Sequence, residues 1–94
     1  MTQLDKAVQI TLTGKVIGVG LRNWAQREAN RRGLGGWVRN NTDRSVSIEV
    51  EGPVADVDAF VDSVGQGLLE GAEIKSKDVR ESEIKRYTGF YVEY

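Results

Sequence analysis

The apolar residues of this chain change their spacing twice, and each change marks where a strand gives way to a helix. Val8, Ile10 and Leu12 alternate with Gln9, Thr11 and Thr13, the two-residue repeat of a strand with one apolar face. Beyond Gly14, Gly18 and Gly20 the repeat lengthens. Leu21, Trp24, Ala25 and Ala29 fall at helical spacing, with Gln26, Arg27, Asn30 and Arg31 outside, and Gly33 supplies the stop. Residues 35–40 then read as a second strand, Asn41 to Arg44 as a turn, and Val46, Ile48 and Val50 as a third strand alternating with Ser47, Glu49 and Glu51. Gly52-Pro53 breaks that strand and opens a second helix, because proline suits the first helical turn. Val57, Phe60, Val61, Val64 and Leu68 line one face of it, and Gly65 and Gly67 end it near residue 65.

The remaining residues carry less pattern. Residues 73–83 are charged, with only Ile74 and Val79 apolar, and fit a solvated edge strand. Phe90 to Tyr94 alternates as a last short strand. The order is βαββαβ with an extra short C-terminal strand. Two right-handed crossovers put both helices on one face of an antiparallel sheet, which is the α+β, ferredoxin-like α/β sandwich. Residues 1–94 are expected to form one domain, with 1–6 flexible. A fold of this kind hosts many activities, so the chemistry must come from a site.

The chain contains no histidine and no cysteine. Thiolate nucleophiles, disulfides, phosphohistidine chemistry and the usual transition-metal ligands are therefore excluded, as is the ordinary general base at neutral pH. Net charge is −1, too small for a global field that gathers nucleic acid or anionic membrane. Residues 21–44 nevertheless hold six arginines against Glu28 and Asp43, a local excess that suits a small anion. With no apolar span of membrane length and no cysteine, the expected location is cytoplasmic.

The loop between the first strand and the first helix is where an anion is best received. Glycines in Gly14-Lys15-Val16-Ile17-Gly18-Val19-Gly20-Leu21-Arg22 let the backbone turn and approach a ligand, and a helix N-terminus presents free N–H groups. Arg22, in the first helical turn, opposes the helix dipole by roughly 0.3–1 kcal/mol, a cost that a bound anion offsets. The stretch is neither a Walker sequence nor a dinucleotide fingerprint. On these nine residues alone, a flexible connection with a solvated Arg22 is the plainer account.

A second motif changes that balance. Gly14 to Arg22 together with Gly36-Trp37-Val38-Arg39-Asn40 resembles the acylphosphatase family, whose pattern is Gly-Arg-Val-Gln-Gly-Val-X-Phe-Arg, a helix, then Gly-Trp-Val-(Lys/Arg)-Asn. The likeness extends to the element order, to Glu51-Gly52-Pro53 and to the closing aromatic strand. It implies a phosphate-binding loop formed by the backbone of Ile17, Gly18, Val19, Gly20, Leu21 and Arg22, with Arg22 on the phosphoryl oxygens and Asn40 positioning the attacking water. The implied reaction is hydrolysis of an acyl phosphate to carboxylate and inorganic phosphate by a monomer, with no metal, no cofactor, and no nucleic-acid or membrane partner. A third expectation, the N-terminal module of a larger carbamoyl-transferring protein, is disfavoured by chain length alone. Read without the resemblance, Asn40 is a turn residue, since Asn40-Asn41-Thr42-Asp43 has hairpin chemistry.

The chain departs from the pattern at Ile17 for glutamine, Leu21 for phenylalanine, Lys15 for arginine, and Arg44 where the family usually has glycine. These departures keep a second reading open, a weakened or inactive anion-binding relative. An RNA-binding variant of the fold is disfavoured, because Gln9, Thr11, Thr13, Ser47, Glu49 and Glu51 offer no aromatic platform on the central strands.

Overall fold

The computed structural model describes residues 5–66 and 71–93. Its elements are β1 (Asp5–Lys15), α1 (Leu21–Arg31), β2 (Gly35–Asn40), β3 (Val46–Pro53), α2 (Val54–Ser63), β4 (Glu73–Ser82) and β5 (Phe90–Glu93). They form a two-layer ferredoxin-like α+β sandwich whose sheet runs in the order β4-β1-β3-β2-β5. The first four strands pair antiparallel, as expected from the hairpin and the two crossovers. The extra strand differs: β5 pairs with β2 in parallel, Gly36 opposite Phe90 through Arg39 opposite Glu93, so the sheet is mixed.

The apolar faces predicted from spacing meet under the helices. Val8, Ile10, Leu12, Val38, Val46, Ile48 and Val50 from the sheet are buried against Leu21, Trp24, Ala25 and Ala29 of α1 and Val57 and Phe60 of α2. Trp24 and Phe60 join the two helices, their ring centroids 5.3 Å apart and tilted by 43°. Leu68 and Gly67 of the expected second-helix pattern lie outside the described residues. β1 begins earlier than the polarity of residues 1–6 suggests. Asp5 and Lys6 pair with Pro53 and Gly52, and Lys6 Nζ donates to Asp58 at 2.7 Å.

β4 is the solvated edge strand, and its lysines, arginine and acids line a free edge in the way that blunts pairing with other chains. Because β4 and β5 occupy opposite edges, residues 83–89 must cross the whole sheet. Four strand spacings amount to about 19 Å, and a segment of this length reaches about 25 Å when extended. It crosses on the face away from the helices, with about 6 Å of length to spare, and Arg86 turns within it at φ 60°. Glu49 and Glu51, on the polar side of β3, are 4% and 7% exposed beneath it, while Ser47 on the same side is 5% exposed and accepts from Asn41 Nδ2.

Both buried carboxylates are satisfied by the strap that covers them. Glu51 accepts the backbone N–H of Lys85 at 2.8 Å on one oxygen and that of Tyr87 at 3.0 Å on the other. Glu49 accepts from the Tyr87 hydroxyl, from Lys85 Nζ at 3.1 Å and from Ser82 Oγ at 3.0 Å. Trp37 Nε1 donates to the Tyr87 oxygen at 3.1 Å, tying β2 into the same network. Burial pushes the Glu49 carboxyl up, but the bonds from Tyr87, Lys85 and Ser82 together hold it below its ordinary value.

Candidate active site

At the opposite end of the sheet from the strap, β1 ends and α1 begins. The chain between them, residues 16–20, forms no regular element. Gly18 and Gly20 take left-handed backbone angles, φ 75° and 83°, which cost a glycine nothing. Gly20 is the N-cap residue of α1, and its carbonyl accepts the Trp24 N–H at 2.9 Å. The N–H groups of the first turn, at Leu21, Arg22 and Asn23, precede any helical acceptor. No side chain caps them and no acid stands among them, so the positive end of the helix is unneutralised from within.

β2 delivers the other side. Val38 faces the helices and is fully buried, and strand alternation puts Asn40 on the same face, at the end of the strand beyond the helix-covered core. The hydrogen bonds of the following turn are made by its neighbours. Asn41 Nδ2 donates to Ser45 Oγ and Ser47 Oγ at 2.9 and 2.8 Å, and Asp43 Oδ1 accepts from the Ser45 N–H at 3.0 Å. None of these bonds uses the Asn40 side chain.

Between the loop, the start of α1 and the end of β2 lies a cavity of about 220 Å³, lined by Val16, Gly18, Gly20, Leu21, Arg22, Asn23, Asn40 and Val92. The expected residues Arg22, Asn40, Gly18, Gly20 and Leu21 are thereby brought together. Ile17 and Val19 belong to the loop but do not line the cavity; Val19 is buried in the core and Ile17 packs against it. Leu21, at the family's phenylalanine position, is 2% exposed and fills the core beneath the loop.

Of the six arginines clustered in the sequence, only Arg22 lines this cavity. Arg31 and Arg32 pair with Glu28 on their own helix, and Arg32 also stands 3.8 Å from Asp56. Arg39 lies 4.6 Å from the Trp37 ring centroid and 3.8 Å from Glu93. Arg44 sits on the exposed hairpin turn. The local excess of positive charge is thus spent largely on structure, and the site's charge comes from one side chain and a helix end.

Sequence reasoning did not name Asn23 or Val92. Asn23 was findable, since it shares the first turn with Arg22. Val92 was not, because only the strand order brings β5 beside β2. Among the described residues no helix is long and apolar enough to cross a membrane.

A family model described as acylphosphatase matches residues 8–92. An acylphosphatase from Salinibacter ruber is 40% identical over 78 residues, covering 83% of this chain and 81% of the relative. The crystal structure of acylphosphatase from Bacillus subtilis superposes with a TM-score of 0.87 at 33% identity, over 97% of this chain and 100% of that one. Full-length HypF, in its phosphate- and nucleotide-bound form, superposes with a TM-score of 0.91 at 33% identity over 100% of this chain; the chain spans 12% of that longer protein.

Proposed function

The chain belongs to the acylphosphatase family, and from that premise we propose that it hydrolyses the carboxyl–phosphate bond of small acyl phosphates to carboxylate and inorganic phosphate. The observation that carries the site assignment is that Arg22 of α1 and Asn40 of β2 line one cavity together with the loop glycines. In this reading the backbone of Ile17 to Arg22 holds the phosphoryl group at the helix N-terminus, and the Arg22 guanidinium neutralises its oxygens. Ile17 in place of glutamine costs the loop a polar side chain but no backbone N–H.

Asn40 holds the attacking water. Its amide oxygen accepts one water hydrogen and aims the lone pair at phosphorus, in line with the departing carboxylate. As the new P–O bond forms, the acyl P–O bond breaks and its electron pair leaves on the carboxylate. That leaving group is stable as an anion at neutral pH, so no general acid is required. The protons of the water end on the phosphate product, and a loose transition state asks for little base strength while the P–O bond is forming. A chain without histidine therefore meets the demands of this reaction, which are positioning and charge stabilisation. We further read it as a cytoplasmic single-domain monomer, needing no metal or other cofactor and no nucleic-acid or membrane partner.

Benzoyl phosphate hydrolysis in the presence of EDTA tests the proposal. The wild type should turn over, and Asn40→Ala should lower kcat about a hundredfold while inorganic phosphate still inhibits. Arg22→Ala should weaken that inhibition by the ~1.5–3 kcal/mol of a hydrogen bond to a charged group. Phosphate binding without turnover in the wild type would instead make this an anion-binding relative. Full activity of Asn40→Ala would remove the water-positioning role.

A further inference from the structure

Two amide side chains line the cavity, and they come from opposite layers of the fold. Asn40 stands at the end of β2, on the face of the sheet that carries Val38. Asn23 belongs to the first turn of α1 and is exposed, whereas its neighbours Leu21, Trp24 and Ala25 are buried against the sheet. Two residues on from Leu21, Asn23 lies roughly 200° round the helix and so on its outer face. Side chains on a helix lean towards its N-terminus, and the cavity lies at that end of α1. Asn23 therefore meets the cavity on the helix side, away from the sheet, and Asn40 meets it on the sheet side.

The helix makes no use of the Asn23 amide. Asparagine near a helix start ordinarily caps free backbone groups. Here α1 has no side-chain cap bond, and among the described residues the Asn23 amide has no hydrogen-bond partner. Asparagine is also a poorer helix former than alanine. An amide with no structural task, on the rim of a cavity that holds Arg22 and Asn40, is open to a ligand.

Which part of a ligand it meets follows from the direction of attack. Displacement at phosphorus runs in line, with the attacking and departing oxygens on opposite sides of the phosphoryl group. A water held by Asn40 attacks from the sheet side, so the acyl group leaves towards the outer face of α1 and passes Asn23. As its P–O bond breaks, negative charge gathers on the two carboxylate oxygens, and a donor placed there lowers the barrier.

We infer that Asn23 is a catalytic residue whose Nδ2–H donates to the carbonyl oxygen of the departing acyl group. The inference rests on the acyl phosphate reading above, and it adds the residue that receives the leaving group. Water oxygen bonds to phosphorus, the acyl P–O pair leaves on the carboxylate, and both water protons end on phosphate. Asn23 gives up no proton, since its amide does not titrate. Its bond is stronger to the carboxylate that forms than to the neutral carbonyl that binds, so it acts on the rate more than on affinity.

The test measures single-turnover hydrolysis of acetyl, benzoyl and para-nitrobenzoyl phosphate with enzyme in excess, alongside inhibition by inorganic phosphate. Asn23→Leu keeps the size of the side chain and removes the donor. It should slow benzoyl phosphate about tenfold, less than the loss at an enclosed oxyanion site because this rim is exposed. The loss should be larger for acetyl phosphate, whose leaving carboxylate is more basic, and smaller for para-nitrobenzoyl phosphate. Inhibition by phosphate, which has no leaving group, should stay at the wild-type value. Asn23→Gln retains the NH2 and should recover most of the rate, which a change of bulk alone would not produce. Asn23→Ala, favoured by helix propensity, serves if the leucine variant aggregates. A wild-type rate in the leucine and alanine variants, or a loss of the same size for all three substrates, would overturn the inference and leave the reaction standing. A wild type that hydrolyses none of the three would sink the reaction and this inference with it.

Discussion

Arg44 and Asn40 show how neighbouring residues of one turn divide structural and chemical work. Arg44 holds φ at 72°, a left-handed value that costs an L side chain about 1–2 kcal/mol. Its N–H donates to the Asn41 carbonyl at 3.1 Å, closing the turn, so the strain is retained by the hairpin. Replacing it with glycine relieves the strain and returns part of the gain to the more flexible unfolded chain. Arg44→Gly should therefore stabilise the protein by about 0.5–1 kcal/mol, a rise of a few degrees in Tm by thermal denaturation. An unchanged or lower Tm would mean that the arginine makes compensating contacts. Asn40 was ambiguous in the sequence because four turn-forming residues stand in a row. The structure gives the turn bonds to Asn41, Asp43 and Ser45, and the cavity to Asn40.

Among the elements, α1 and α2 are the ones that spacing described best, and the reason is local. Each buries a single stripe against the sheet, and a stripe is written in residues three or four apart. Their contact with each other runs through Trp24 and Phe60, both in the core. Phe60→Ala should cost about 3–5 kcal/mol, because the vacated volume lies between two helices and a sheet that cannot all close on it. Such a loss is a large share of the roughly 5–15 kcal/mol that holds a domain together, and urea unfolding should show it as a lower midpoint at similar slope. A loss under about 1 kcal/mol would mean that the helices collapse onto the gap. The strap was illegible for the converse reason. Residues 83–89 have no period, and their partners Glu49 and Glu51 lie 34 to 38 positions earlier. On β3 those two acids read as the solvated side of an alternating strand.

For the molecule as a whole, the absence of histidine sets the shape of stability against pH. The Glu28 carboxyl is held below its ordinary value by its bond from Arg31, against burial and with help from Arg32, and that of Asp43 by Ser45. Glu49 also lies low. Groups whose folded pKa is depressed contribute stability above their unfolded pKa and lose it as pH falls through the folded value. At the other end, the bond to Glu49 raises Lys85 against burial, while burial and then the same carboxylate raise Tyr87. Their contribution is complete below the unfolded pKa and lost as pH rises through the folded one. Tm should be flat between about pH 6 and 9, and fall below about pH 4 and above about pH 10. Glu49→Gln should soften both limbs, since one carboxylate serves both. A step in Tm near pH 6.5 in the wild type would contradict the assignment.

The sequence by itself determined the element order, the two-layer fold, the loop with Arg22 and the family to which the chain belongs, because each is written in short-range spacing or in a contiguous motif. Only the tertiary structure decided that Arg22 and Asn40 share a cavity, that Arg31, Arg32 and Arg39 pair with acids elsewhere, that β5 runs parallel beside β2, and that two acids on β3 are buried under the crossing chain. Those outcomes depend on strand order and on which faces meet. No local pattern of residues encodes either one until the chain has closed on itself.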